Sequence, residues 1–293
     1  MFKYRIFTII FLLSLVLSFV LLPILTKADE STWDWNWNAI NSKPILVSDE
    51  KVDFNANSLY VVDLLTDMPL YQKNIDHIQP VASITKLMTA TVLLENYKET
   101  DIVDVTYNAA SVNGSVMHLV AGEKIKIIDI VYGMIISSAN DGALAVSDFY
   151  GKGKIVGLMN KKAQELGLKN TRFFDDIGLS KDNYSTARDL YFLSKYALTK
   201  PAIKDAASHT TYELVSSSGQ THMLSTTNRL LKQYSDIFGL KTGYTEEAGN
   251  CLIAYSIQND HPIISVMLGH PDYNLRFSDS RELLDWVWES YKW

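Results

Sequence analysis

The sequence is short of cysteine and of positive charge, and each shortage excludes a class of protein. Cys251 is the only cysteine in 293 residues, which rules out an internal disulfide framework and a cysteine-rich metal site. A formal net charge of −6 leaves no basic stripe to neutralise phosphates, so we expect no nucleic-acid partner. The six histidines show no ligand spacing, and we expect no metal and no other cofactor.

A long apolar run lies at the N-terminus, where Lys3 and Arg5 precede residues 6–25. This pattern is typical of a signal peptide or a signal anchor over residues 1–28, with a candidate cleavage site at Thr26-Lys27-Ala28. Basic residues before the run and acidic residues after it place the rest of the chain outside the cytoplasm. We therefore expect a protein that is either held at the membrane by its N-terminus or secreted after cleavage.

Residues 29–54 are interpreted as a linker or irregular lead-in, and residues 55–293 as one domain. The lead-in contains three tryptophans, Trp33, Trp35 and Trp37. Two places suit them equally, the lipid headgroup zone and the surface of the folded domain.

The apolar pattern changes its period twice along the domain. Residues 58–64 and 70–73 predict a β-hairpin, and helical spacing then dominates a lobe over about residues 100–200. Pro201 is predicted to end the helical part, antiparallel strands follow from Thr210, and a helix closes the chain. This order predicts an α+β fold.

The tetrad Ser83-Ile84-Thr85-Lys86 stands before an apolar, helix-forming run. If Ser83 opens that helix, Lys86 lies one turn further on the same face and can take the proton of the serine hydroxyl once its own pKa is lowered. The backbone N–H groups of a helix N-terminus also suit a developing oxyanion. Taken alone, the tetrad fits a helix-capping serine and a solvated surface lysine better than a catalytic pair.

A second polar motif, Ser138-Ala139-Asn140, interrupts two apolar helical runs. Its residue types are also those of an ordinary helix–helix turn.

The third motif is Lys241-Thr242-Gly243, on a predicted strand. A lysine beside a hydroxyl makes a receptor for a carboxylate, and Gly243 leaves room for an extended peptide along the strand edge. An exposed strand end would explain the tripeptide as well.

Together, Ser-x-x-Lys, Ser-x-Asn and Lys-Thr-Gly in this order are the signature of penicillin-binding proteins and serine β-lactamases. The residues around them resemble low-molecular-mass D-alanyl-D-alanine carboxypeptidases, from about Leu59 to about Trp286. The resemblance implies a β-lactamase/transpeptidase-like fold, in which an antiparallel sheet is flanked by helices and a mainly helical lobe is inserted. The active site would lie in the cleft between them.

The resemblance also implies catalytic roles. Ser83 would attack the penultimate D-Ala carbonyl of a peptidoglycan stem peptide and form an acyl-enzyme, while a neutral Lys86 accepts its proton. Ser138 would relay a proton to the leaving amine, and Asn140 would hold the substrate amide and Lys86. Water would then release the shortened peptide.

For substrate binding, the resemblance implies that Lys241 supplies positive potential and that Thr242 binds the terminal carboxylate. The oxyanion hole would be formed by the backbone N–H groups of Ser83 and Tyr244. Arg229 and Arg276 resemble arginines near the carboxylate end in relatives, although a surface salt bridge is the commoner role for an arginine.

Several functions remain open at this level. The main prediction is a serine D-alanyl-D-alanine carboxypeptidase of the bacterial cell envelope, acting on peptidoglycan stem peptides and inhibited by β-lactams. Many such enzymes carry a further β-rich domain and a C-terminal anchor, whereas this sequence ends at Trp293, so we expect any membrane attachment at the N-terminus. Related endopeptidases also lack that domain and are the alternative.

Two rival functions are a β-lactamase and a non-catalytic wall-binding or β-lactam-sensing module. One β-lactamase class deacylates with a glutamate between the second and third motifs. The corresponding stretch, residues 175–180, contains Asp175 and Asp176 but no glutamate. Intact Ser83, Lys86 and Lys241 argue against a non-catalytic module.

Overall fold

The computed structural model describes residues 43–48 and 50–293. The predictions for residues 1–28 and for Trp33, Trp35 and Trp37 lie outside these residues. Among the residues described, no helix is both long enough and apolar enough to span a membrane. The described helices are α1 (Thr85–Asn96), α2 (Tyr107–Ala110), α3 (Ile127–Ile136), α4 (Asn140–Tyr150), α5 (Lys152–Glu165), α6 (Ala187–Ala197), α7 (Pro201–Ser208) and α8 (Leu275–Ser290), with 3₁₀ turns at Ala82–Ile84 and Arg229–Lys232.

Most of the strands are short. They are β1 (Ile45–Leu46), β2 (Ser58–Asp63), β3 (Pro69–Lys73), β4 (Gln79–Pro80), β5 (Ile102–Asp104), β6 (Lys124–Lys126), β7 (Tyr184–Ser185), β8 (Thr211–Val215), β9 (Thr221–Ser225), β10 (Ile237–Thr245), β11 (Gly249–Gln258), β12 (His261–His270) and β13 (Tyr291–Lys292).

The central sheet is antiparallel and has the strand order β10-β11-β12-β2-β3. The predicted hairpin is confirmed as β2 and β3. Strands β11 and β12 are joined at Asn259 and Asp260, both with positive φ, as the tightest right-twisted hairpins require. Strand β10, which carries the Lys-Thr-Gly motif, lies at an edge of this sheet.

Both faces of the sheet are buried, as the alternation along β11 shows. Cys251 and Ile253 face a core shared with α1, α3 and α6, whereas Leu252 and Ala254 face a second core under α8. A β-strand presents successive side chains to opposite faces, so an apolar run with no polar alternation forms a strand covered on both sides. The predicted sheet flanked by helices is therefore confirmed.

Helices α3 to α6 lie within residues 100–200, and one prediction at the end of this stretch is wrong. Pro201 does not simply end the helical part; it begins α7, which the sequence interpretation missed. Proline suits the first position of a helix because its missing N–H has no intrahelical partner there. The hairpin predicted from Thr210 forms, but β8 and β9 make a separate two-stranded sheet.

The described part of the predicted lead-in contacts the domain. Ile45 and Leu46 of β1 pair with Lys292 and Tyr291 of β13. The backbone N–H of Val47 also donates to the carbonyl of Ser290, at 2.8 Å.

Candidate active site

Ser83 lies in the 3₁₀ turn that leads into α1, and Lys86 lies in the first turn of that helix. The side chain of Ser83 does not cap the helix, and Lys86 is fully buried, so the capping serine and the solvated surface lysine are both wrong interpretations. Ala82, just before Ser83, has a positive φ of 48°, a conformation that costs free energy for a residue with a side chain. The turn therefore holds Ser83 in a position that local sequence preference would not select.

The ammonium nitrogen of Lys86 contacts three oxygen atoms. Its Nζ lies 3.0 Å from Ser83 Oγ, 2.8 Å from Asn140 Oδ1 and 2.6 Å from the carbonyl oxygen of Ile177. A neutral amine has two N–H donors and one lone pair. Donation to Asn140 and Ile177 then leaves the lone pair for the Ser83 hydroxyl, which is the arrangement of a general base.

Burial lowers the pKa of Lys86 to about 7, against the opposing charges of Asp175, Asp176 and Asp141. Removing an ammonium ion from water disfavours its charged form, and this outweighs the three carboxylates because none of them bonds to Nζ among the described residues. The first turn of a helix also disfavours a cation. A substantial fraction of Lys86 is therefore neutral near pH 7.

The second motif lies across the cleft from the first. Ser138 joins α3 to α4 with a positive φ of 61°, and Asn140 is the first residue of α4 rather than part of the connection. Asn140 Nδ2 donates to the carbonyl of Asn113 at 2.8 Å, and its backbone N–H donates to the carbonyl of Ser115 at 2.7 Å. Asn140 thereby joins Lys86 to the loop that forms one wall of the cleft.

Lys241 is also buried, and it reaches the second motif from strand β10. Its Nζ donates to Ser138 Oγ at 2.9 Å and to the carbonyl of Thr242 at 2.8 Å. Burial, followed by the positive charges of Lys86 and Arg276, holds the pKa of Lys241 well below its usual value. Ser138 is thus fixed beside a second amine.

Gly243 allows the strand to approach the nucleophile. A Cβ atom on Gly243 would lie 3.1 Å from the backbone nitrogen of Ser83 and 3.2 Å from that of Ile84, closer than most real Cβ contacts. The absence of a side chain therefore lets β10 pack on the 3₁₀ turn and brings Tyr244 next to Ser83 in space.

The three motifs meet at a cleft of about 290 Å³. Seven of the predicted site residues line it: Ser83, Ser138, Asn140, Thr242, Gly243, Tyr244 and Arg276. Five further residues that the sequence interpretation missed line it too: Gly114, Ser115, Leu179, Thr227 and Tyr273. No motif marks them, because they lie in loops whose approach depends on the whole fold. A larger groove, of about 550 Å³, lies beside Lys169 and Arg172 and contains none of the motif residues.

The two arginines differ in position. Arg276 is buried and lines the cleft, where one of its N–H groups donates to the carbonyl of Gly243 at 3.0 Å. Arg229 is exposed and does not line the cleft; it donates to Asn274 Oδ1 at 2.7 Å and lies over the Tyr273 ring. Tyr273 contacts both guanidinium groups and so links Arg229 to the cleft.

The loop that contains Asp175 and Asp176 has no carboxylate facing the cleft. Asp175 accepts hydrogen bonds from the backbone N–H groups of Ile177, Gly178 and Ser180, which hold the loop together. Asp176 accepts one from Ser147, and burial raises the pKa of Asp176 to about 6. Neither carboxylate is placed as the deacylating base of a β-lactamase.

Metal-binding geometry is likewise not found in residues 43–48 and 50–293, where no group of three or more His, Cys, Asp and Glu side chains is arranged around a common point.

Comparison with known proteins identifies relatives of this site. Residues 45–272 match the model of the D-alanyl-D-alanine carboxypeptidase family, Peptidase S11. The D-alanyl-D-alanine carboxypeptidase DacF of Bacillus subtilis is 34% identical over 81% of this chain and 63% of its own length. The D-alanyl-D-alanine endopeptidase of Pseudomonas aeruginosa is also 34% identical, over 79% of this chain and 77% of its own length. The chain thus spans less than two thirds of the carboxypeptidases DacF and DacC that it matches, 63% and 62%.

Among solved structures, the Streptomyces K15 DD-transpeptidase superposes on this chain with a TM-score of 0.77 at 28% identity. The match covers 82% of this chain and 99% of that enzyme. The predicted β-lactamase/transpeptidase-like fold is therefore confirmed.

Proposed function

The chain belongs to the D-alanyl-D-alanine carboxypeptidase family, and on that basis we propose that it removes the terminal D-Ala from peptidoglycan stem peptides as a serine hydrolase. One observation carries the proposal. Ser83 Oγ lies 3.0 Å from the nitrogen of a buried lysine whose pKa is about 7 and whose two other contacts are both acceptors. A hydroxyl becomes a competent nucleophile when such a base takes its proton.

Acylation follows from this geometry. Ser83 Oγ attacks the carbonyl carbon of the penultimate D-Ala while its proton moves to Lys86 Nζ. The carbonyl oxygen becomes an oxyanion, which the backbone N–H groups of Ser83 and Tyr244 would receive. The close packing of Gly243 on the 3₁₀ turn supports this pairing of donors from two elements.

The leaving amine needs a proton as the carbon–nitrogen bond breaks. Ser138 Oγ, which accepts a hydrogen bond from Lys241 Nζ at 2.9 Å, is the donor we assign to it. Ser138 in turn receives the proton that Lys86 took from Ser83, so D-Ala departs with a neutral amine and Lys86 loses its charge. A water molecule then attacks the acyl-enzyme. Lys86, neutral again, takes the proton of that water and returns it to Ser83 Oγ as the peptide is released.

Substrate recognition requires both an extended backbone site and positive charge. Strand β10 is the edge of the central sheet, so a peptide can pair along it. Arg276 and Thr242 line the cleft, where a terminal carboxylate would be held, and the buried Lys241 bonds to Ser138 in the same lining. Arg229 contributes by packing on Tyr273.

Endopeptidase activity is the second candidate, because a D-alanyl-D-alanine endopeptidase is as similar in sequence as DacF. Both reactions would share the acyl-enzyme on Ser83 and differ only in the amine that leaves. The two activities are therefore distinguished by which substrate is cleaved, because the nucleophile is the same in both.

The experiment is intact-mass analysis of the purified protein with a penicillin, followed by peptide mapping. We expect a long-lived adduct on Ser83, which Ser83→Ala abolishes, and release of free D-Ala from a pentapeptide. An adduct that disappears as the drug is consumed would favour a β-lactamase. Cleavage of cross-linked dimers without release of D-Ala would favour the endopeptidase, and no adduct on folded protein would contradict the catalytic assignment.

We also infer export to the bacterial cell envelope, from the apolar run and flanking charges in residues 1–28. The full chain should stay with membranes through a high-salt wash if the run is retained as an anchor. Recovery of a soluble species beginning near Asp29 would show instead that the run is a cleaved signal peptide.

A further inference from the structure

Thr227 lines the cleft although it belongs to none of the three motifs. It lies between β9 and the 3₁₀ turn that begins at Arg229. Its backbone N–H donates to the carbonyl of Ile136, the last residue of α3, at 3.1 Å. On its two sides, the N–H of Thr226 donates to the carbonyl of Thr210, and Asn228 Oδ1 accepts the N–H of Leu230. The position of Thr227 is thus fixed by the fold and not by chance loop geometry.

The hydroxyl of Thr227 contacts the hydroxyl of the third motif. The distance between Thr227 Oγ1 and Thr242 Oγ1 is 2.5 Å, and Thr242 is almost fully buried. Each hydroxyl has one proton, so one of the two donates to the other and a single O–H remains for a ligand. The pair therefore presents one donor, and a hydroxyl that accepts a hydrogen bond becomes a better donor itself.

The surroundings of this pair select the kind of ligand group. Arg276 and Tyr273 line the same cleft. A carboxylate only accepts hydrogen bonds, so it matches one O–H donor placed near the Arg276 guanidinium. A carboxamide would place an N–H group where the site offers mainly positive charge.

We propose that Thr227 is a specificity-determining residue: together with Thr242 it forms a hydroxyl pair that directs one O–H at the free terminal carboxylate of the substrate. The inference rests on the proposed function and adds Thr227 to the residues that hold the terminal carboxylate of its substrate. Thr227 acts by positioning and does not take part in the proton transfers at Ser83.

The test compares two peptides that differ only at the C-terminus, one ending in D-Ala-D-Ala and the other in D-Ala-D-Ala amide. Thr227→Val removes the hydroxyl and keeps the shape, and Thr227→Ser restores it. We expect Thr227→Val to lower the acid-to-amide ratio of kcat/KM about tenfold, mainly through KM of the acid, and Thr227→Ser to recover most of it.

Thr226→Val is the matched control. The Thr226 hydroxyl accepts the N–H of Asn228 at 3.1 Å in the same segment, so its loss disturbs the loop without touching the hydroxyl pair. The acid-to-amide ratio should stay at the wild-type value in this variant. A ratio that falls equally in both variants, or in neither, would overturn the assignment of Thr227.

A binding experiment tests this inference independently of the proposed function. In the Ser83→Ala background, calorimetry with the same two peptides requires no turnover. Loss of the preference for the acid on adding Thr227→Val supports the hydroxyl pair even if the wild-type protein releases no D-Ala. An unchanged preference contradicts it even if the wild-type protein is an active carboxypeptidase.

Discussion

Helix α1 has lysine contacts at both of its ends, and the two ends put the same side chain in opposite states. At its start, Lys86 is fully buried and contacts oxygen atoms of Ser83, Asn140 and Ile177. At its far end, Glu95 binds a lysine of α5 and a lysine just before α7: Lys162 Nζ lies 2.9 Å from one carboxylate oxygen, and Lys200 Nζ lies 2.6 Å from the other.

The pKa values of the lysines at the two ends of α1 also shift in opposite directions. Burial lowers the pKa of Lys86 to about 7. At the far end, burial also disfavours the charged forms, but hydrogen bonds outweigh it. Those from Lys200, Tyr196 and Lys162 lower the pKa of Glu95 to about 2. In return, Glu95 and its neighbours raise the pKa of Lys162 and of Lys200. A carboxylate in direct contact keeps a lysine charged. Where the contacts are neutral acceptors, burial lowers the pKa and favours the neutral amine. The difference explains why one end is suited to catalysis and the other to stability.

The largest effect should come from removing the neutral lysine. Lys86→Met should lower the rate of acylation by penicillin at least about a thousandfold, because the Ser83 proton then has no acceptor. Stopped-flow acylation or adduct formation by mass spectrometry measures this. The matched control is Lys162→Met at the other end of α1, which should lower the melting temperature and leave acylation near the wild-type rate. Equal acylation by the two variants would contradict the contrast between the ends.

A carboxylate placed beside Lys86 should keep this lysine charged, as Glu95 keeps Lys162 and Lys200 charged at the far end of α1. Asn140→Asp would put a negative charge at the oxygen that lies 2.8 Å from Lys86 Nζ. The pKa of Lys86 should then rise, and acylation at pH 7 should fall about a hundredfold. The pH–rate profile should also move to higher pH, which a simple loss of packing would not cause. An unshifted profile would show that Asn140 acts only through the loop it binds, at Asn113 and Ser115.

The wild-type protein should show the lowered pKa directly. Acylation needs neutral Lys86, so its rate should rise with pH and level off above about 7, the pKa of Lys86. From pH 5 to pH 7 the neutral fraction increases about 50-fold, and the rate should follow it. Stopped-flow measurements with an uncharged reporter β-lactam cover this range. A rate that keeps rising past pH 9 would indicate an ordinary lysine and remove the physical basis of the contrast.

The sequence predicts the catalytic end of α1 far better than the other end. Ser83 and Lys86 share one helical turn, so their spacing alone brings them together, and the order of the later motifs identifies Ser138 and Lys241. Asn113 and Ser115 hold Asn140 through their main-chain carbonyls, and no residue type can reveal such a contact. Thr227 contacts Thr242 because the end of α3 fixes its segment, and such a contact has no periodic pattern in the sequence.

The far end was not predicted for a similar reason. Glu95, Lys162 and Lys200 belong to three separate elements, and each is an ordinary surface residue by type. The local sequence predicts that Pro201 ends the helical part, but Pro201 begins α7, with Lys200 at the N-cap position. Contacts between elements depend on how the helices pack, and the local sequence sets only the helices themselves.

The smallest effect, and the sharpest test of the contrast, is expected at Glu95. Its side chain is 17% exposed, so Glu95→Gln should cost about 1–2 kcal/mol of folding stability, more than an exposed ion pair and less than a fully buried one. The pKa of Glu95 is lower when folded, about 2, than its ordinary value of 4.5, so the folded state prefers the ionised form. The contribution is therefore complete above pH 4.5 and disappears as the pH falls through 2.

Denaturant unfolding of the wild type and of Glu95→Gln between pH 7 and pH 2.5 should show this difference shrinking as the solution becomes more acidic. Asp104→Asn, in an exposed pair with Lys124, is the matched control and should have a smaller effect at every pH. Acylation of Ser83 by penicillin should be the same in all three proteins at pH 7, because Glu95 lies at the end of α1 remote from Lys86. A change in the acylation rate of Glu95→Gln would mean that the two ends are coupled along the helix, and the opposite states of their lysines would then have to be explained together.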